Sequence, residues 1–178
     1  MASMKIRIGI LFLLLLISFL AKSQSAKTYT LISKKTGKLN VKLIESLPPS
    51  LKGMAALYSA MGGTNCIDQQ CELTTALGLG NQGSEAQKAL IHKYFPNDKA
   101  AILLIGQDCY LPPDSSASFS NFVSLAFTVN EDQVTVNYEL NVLNHGVVKK
   151  IQGPDMYEFK NQVYRNTRRV LYAWTAKQ

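Results

Sequence analysis

Histidine, cysteine and tryptophan are scarce in this chain: two, three and one among 178 residues. That scarcity excludes a conventional zinc site. No pair has zinc-finger spacing, and Cys66-x4-Cys71 alone falls short of four ligands. Calcium is no better served, because Asp108 and Asp114 flank a proline loop that lacks the alternating oxygen ligands of a calcium loop. No Gly-x-Ser-x-Gly element is present, so a Ser-His-Asp hydrolase has no strained turn to carry its nucleophile. No internal repeat is visible, which excludes a repeat array. Charged residues make up only 17% against 47% hydrophobic, a balance that excludes a disordered chain. No metal and no cofactor is expected.

What is present begins with an address. Lys5 and Arg7 precede an almost unbroken apolar run from Ile8 to Leu20. At 13 residues it is short of the roughly 20 that a membrane-crossing helix needs. Small residues then fit cleavage before Gln24 (Ala21 and Ser23) or before Ala26 (Ser23 and Ser25). Residues 1–23 are therefore expected to be a signal peptide, and 24–178 a single domain that is secreted or periplasmic. No transmembrane span is expected after signal removal. No Cys follows the apolar run, which argues against a lipid anchor.

Export changes how the charge reads. The formal +7 loses Lys5, Arg7 and Lys22 and becomes +4. Residues 27–52 carry six Lys and Glu45, residues 53–148 three Lys and nine acids, and residues 149–178 seven basic residues against Asp155 and Glu158. Two basic ends around an acidic middle support a modest polyanion-facing patch. Nucleic acid, which a pI near 9.3 would otherwise suggest, becomes a poor partner outside the cell.

An oxidising compartment also makes one disulfide the economical outcome for three cysteines. Cys66 and Cys71 are the candidate pair, with Cys109 the rival partner for either. On a continuous helix Cys66 and Cys71 would point about 140° apart, so a bridge between them requires an irregular segment.

The periodicities predict an α+β domain. Tyr29–Ser33 and Leu39–Ile44 alternate around a Lys34–Lys38 turn, as in a hairpin. Ser50 is placed to cap a helix from Leu51 to Met61, with Met54, Leu57, Tyr58 and Met61 on its buried stripe. Glu72–Leu77 fits helix or strand. Ser84 and Gln87 have capping-box spacing for a helix running to Phe95. Ala100–Ile105 reads as a short buried strand. Val123–Val129 and Val134–Val142 alternate as a long hairpin with one apolar face, followed by a strand from Val147 to Ile151. Asp155 and Glu158 resemble a capping box opening a last helix that carries Phe159, Val163, Val170, Leu171 and Trp174 inward. The expected fold is an antiparallel sheet of five or six strands, helices packed on one side, and a C-terminal covering helix.

Three constellations bear on function. Gly78-x-Gly80-x-x-Gly83 has dinucleotide-binding spacing, but a poor strand precedes it and an antiparallel hairpin follows where further βαβ units are required. It reads better as a glycine-rich turn. Cys109 ends an apolar run beside a proline loop, and His145 or His92 is the available base for a thiol nucleophile. That is the enzyme alternative, an exported hydrolase; without the fold's help neither histidine is near. Finally Tyr164, Arg165, Arg168 and Arg169 mix aromatic and guanidinium side chains, the usual anchors of a binding face. With no complete catalytic constellation, the leading expectation is a small exported binding or interaction protein, for a protein or small-molecule ligand in the envelope or extracellular space.

Overall fold

A computed structural model describes residues 25–61, 72–80, 83–105, 119–144 and 147–170. Within them the chain is α+β, with a six-stranded antiparallel sheet and five helices. β1 (Lys27–Ile32) turns through Ser33–Lys38, where Gly37 takes φ +65 and its N–H closes onto the Ser33 carbonyl at 2.7 Å. The expected second strand does not form. Only Leu39 bridges back to Ile32, and Asn40 then caps α1 (Val41–Glu45) by accepting the Leu43 N–H at 3.2 Å. A short apolar run fits either period, and the Asn cap decides for helix.

α2 (Pro49–Met61) starts with Pro in the first turn, where its missing N–H costs nothing. Every residue from Gly53 to Ala60 is buried, so this helix is central and covered on all sides. α3 (Glu72–Ala76) resolves the ambiguous segment as helix. α4 (Glu85–Tyr94) has the expected cap, with Ser84 Oγ accepting the Gln87 N–H at 3.2 Å. Gln87 is buried: its Oε1 takes the Gly83 N–H at 2.7 Å, and its amide donates to the Ala56 carbonyl and Ser59 Oγ of α2.

Ala100–Ile105 is not a strand but lies in α5 (Lys99–Ile105). Asp98 Oδ1 accepts the N–H groups of Ala100 and Ala101, both at 3.1 Å, which starts a helix rich in Ala.

The long hairpin is as its alternation predicts: β2 (Phe119–Asn130) pairs with β3 (Gln133–Asn144). β3 carries two partners in succession, β4 (Val147–Gln152) along Glu139–Asn144 and β5 (Asp155–Lys160) along Gln133–Val136. Gly153 and Pro154 separate those two partners, and a Cβ on Gly153 would sit 2.7 Å from the Tyr138 ring. β6 (Val163–Arg168) completes the order β1-β2-β3-β5-β6.

The covering helix expected over the C-terminal stretch is replaced by the β5–β6 hairpin. Asn161 and Gln162 both have positive φ, the two-residue turn whose twist suits adjacent strands. Tyr157, Phe159 and Tyr164 turn to one side, and the aromatic and β-branched content favours strand. Asp155 and Glu158 are strand residues, not a cap. Leu171 and Trp174 lie outside the described residues.

Helices α2 and α4 lie on the apolar side of the sheet. Tyr58 meets Phe122, Phe127, Tyr138 and Tyr157 with ring centroids 5.8–6.5 Å apart. Beyond it Phe95 stacks on Tyr164 at 5.1 Å, and Tyr94 sits against Phe159 and Tyr164.

Candidate ligand groove on the open sheet face

Alternation along the strands leaves a second, polar face. By register it carries Thr28, Thr30, Ser124, Ala126, Thr128, Thr135, Asn137 and Glu139, and beyond them Met156, Glu158, Arg165 and Arg168. Among the described residues no helix packs here. An open groove of about 370 Å³ runs across it, bordered by Thr30, Ile32, Lys34, Ser124, Asn137 and Glu139, with Gln152 and Gly153 at the far wall. The rows of the sheet explain its shape. Thr30 faces Ala126, and Ala126 faces Asn137; Ser124 faces Glu139, and Glu139 faces Gln152. Ala126 and Gly153 contribute almost no bulk, so the surface dips between longer neighbours.

Glu139 forms the floor, with its side chain only 7% exposed. Lys34 Nζ donates to its Oε2 at 2.8 Å, Lys150 Nζ to its Oε1 at 2.7 Å, and Gln152 Nε2 to Oε2 at 3.3 Å. Such charge-assisted bonds favour the ionised form. Hydrogen bonds from Lys150 and then Lys34 bring the Glu139 carboxyl from 4.5 down to about 2, against the opposing effect of burial. Because the folded value is depressed, the stabilising contribution is complete above pH 4.5 and is lost as pH falls towards 2. A carboxyl-carbon NMR titration is expected to place the Glu139 midpoint near 2, and Lys150→Ala to move it upward. A midpoint unmoved by that change would remove Lys150 as the cause.

The covered side holds a different polar group. Asp155 is fully buried, and its carboxyl accepts from Tyr58 Oη at 2.6 Å, the Val170 N–H at 2.6 Å and Tyr138 Oη at 3.4 Å. Burial, together with Tyr157 and Asp155 alongside, holds the Tyr58 phenol well above its usual range, so it stays a donor. Burial likewise raises Tyr157 and Tyr164. Sealed from solvent, this group ties β5, α2 and the chain after β6 together.

The sequence-predicted residues distribute as follows. Tyr164 is buried in the aromatic core. Arg165 and Arg168 are exposed on β6, Arg165 lying 3.8 Å from Glu158, which also holds Lys160 at 2.6 Å. Arg169 is ion-paired with Asp98, the residue that caps α5. His92 is exposed in the last turn of α4. Cys66, Cys71, Cys109 and His145 lie outside the described residues. Gly78, Gly80 and Gly83 have φ of +70 to +78 and follow α3, a helix, where a dinucleotide motif needs a strand. Glu139, Lys34, Lys150 and Asn137 were not singled out by sequence. Only Glu139 carries a signal, a charge at a polar strand position whose neighbours Tyr138 and Leu140 are apolar; Lys34 lies in a turn, Lys150 follows another lysine, and Asn137 is uncharged.

Among the described residues no group of three His, Cys, Asp or Glu could hold a metal ion, and no helix is long and apolar enough to cross a membrane. Comparison with protein-family models, curated proteins and solved structures finds no match to this chain.

Proposed function

We propose that this chain is a small exported binding protein whose contact surface is the open, cationic face of the sheet and whose ligands are acidic. Residues 1–23 serve as its signal peptide, and the domain works outside the cytoplasm. The observation carrying the reading is the charge on that face. Lys34, Lys150, Lys160, Arg165 and Arg168 stand against Glu139 and Glu158, five basic groups to two acidic. Both carboxylates are already held by lysine, so the surplus faces solvent. A single-sign surplus over a low-lying groove attracts anions and accelerates their encounter.

The test uses poly-L-glutamate with the purified protein, followed by backbone NMR shifts and affinity at several salt concentrations. Shifts are expected on the open face, with affinity falling as salt rises. Reversing Arg165→Glu and Arg168→Glu together is expected to weaken binding about tenfold or more while the fold, read by circular dichroism, is kept. Shifts scattered over the helical side, or affinity indifferent to the double reversal, would overturn the reading.

A further inference from the structure

We infer that the groove beside Glu139 is a site for a sugar acid, a small polyhydroxylated molecule bearing one carboxylate. This rests on the open face being the contact surface and names the ligand of its groove.

The anion end is built by Lys34 and Lys150. Their ammonium groups hold different oxygens of the same carboxylate, at 2.8 and 2.7 Å. Two ammonium groups so close would repel, and Glu139 keeps them together. Each has three donors, and their side chains are 71% and 56% exposed. Lys34 lines the groove and has donors left at its mouth; Lys150 stands just beyond the lining, on the other oxygen of the floor carboxylate, and with Glu139 the two make a cluster of net charge +1. One carboxylate balances it.

The body of the ligand is read from the rest of the lining. Thr30, Ser124 and Asn137 border the groove and have no side-chain hydrogen bond to the described protein. Two hydroxyls and an amide offer donors and acceptors at once, which is what sugar hydroxyls require. Thr30 and Asn137 stand two strand spacings apart, about 10 Å, with Ser124 on the strand between them, so a sugar lying over the middle strand is within reach of side chains from both sides. The volume of about 370 Å³ falls within the range of ordinary small-molecule sites.

Other ligand classes fit less well. Tyr138 borders the groove but is 5% exposed and has its ring in the core, so no aromatic platform is offered to a base or a neutral sugar. Ile32 and Ala126 are too little apolar surface for a fatty acid. An amino acid would bring a second ammonium to a carboxylate already held by Lys34, Lys150 and Gln152.

The experiment titrates sodium glucuronate into the isotope-labelled protein, with glucose, acetate and inorganic phosphate as separate titrations. Glucuronate is expected to saturate, with shifts gathered at Thr30, Ser124, Asn137 and Gln152, and to bind at least about tenfold more tightly than the other three. Lys150→Ala and Lys34→Ala should each weaken it about tenfold, as loss of a charge-assisted bond does. Asn137→Ala should weaken glucuronate and leave acetate unchanged. Acetate or phosphate matching glucuronate would reduce the site to one for simple anions and overturn the proposal. So would glucose matching it, or glucuronate failing to saturate. If poly-L-glutamate still shifts the open face in any of those cases, only the sugar-acid assignment has failed; if it does not, the contact surface itself was misplaced.

Discussion

Asp155→Ala is expected to remove about 3–5 kcal/mol of folding stability, a large part of what a domain of this size possesses. Three donors converge on this carboxyl: the Tyr58 and Tyr138 hydroxyls and the Val170 N–H. Removing the acceptor takes the 2.6 Å bonds from the Val170 N–H and from Tyr58 Oη, which is left with Tyr157 Oη at 3.2 Å, and a buried group that loses its partner costs about 1–3 kcal/mol. Water cannot readily compensate, because Asp155, Tyr58 and Tyr157 are each fully buried. Tyr58→Phe gives the graded control. It deletes one donor and leaves Asp155 with Tyr138 and Val170, so a loss of about 1–2 kcal/mol is expected. Thermal melting is the measurement, and Asp155→Ala should lower the midpoint by roughly 10 °C or more. A midpoint within about 2 °C of the parent chain would show that the network contributes no net stability.

The same residue shows why the C-terminal stretch is ambiguous in sequence. Asp155-x-x-Glu158 has the spacing of a capping box, and a local signal of that kind does not reveal whether its acid is exposed or buried. The alternation of Tyr157 and Phe159 around Glu158, and the Asn161-Gln162 turn, carried the competing strand signal. Pairing of β5 with β3 decided between them, and that partner lies outside any local window. At Ala100–Ile105 the conflict runs the opposite way: the compact apolar run fits a strand, and the Asp98 cap makes it a helix. Where pattern and cap agree, as for Ser84 with Gln87 or the Val123–Val142 alternation, the elements were legible. The groove was not. Glu139 sits at a polar strand position, and its partner Lys34 is 105 residues away along the chain. Only the sheet register brings them together.

Gly53→Ala is the second large effect, and its sign opposes helix propensity. Gly53 lies inside α2, where exchanging Gly for Ala ordinarily gains about 1 kcal/mol. Here a Cβ would stand 2.2 Å from Tyr94 Cδ2 and 2.8 Å from its Cγ. The ring has little room to retreat, since Tyr94 is 5% exposed and packed against Phe159 and Tyr164. Making space means moving α4 away from α2, and with it the Gln87 amide that bonds Ala56 and Ser59. Overpacking of this kind costs about 1–3 kcal/mol, which outweighs the gain in propensity. Net destabilisation by denaturant titration is therefore expected, and Tyr94→Leu placed in the Gly53→Ala background should recover part of it. A single variant more stable than the parent would show that the two helices are not held at the separation Gly53 permits. Recovery in the double variant would locate the strain at that contact, because a propensity effect in α2 has no reason to depend on the side chain at position 94.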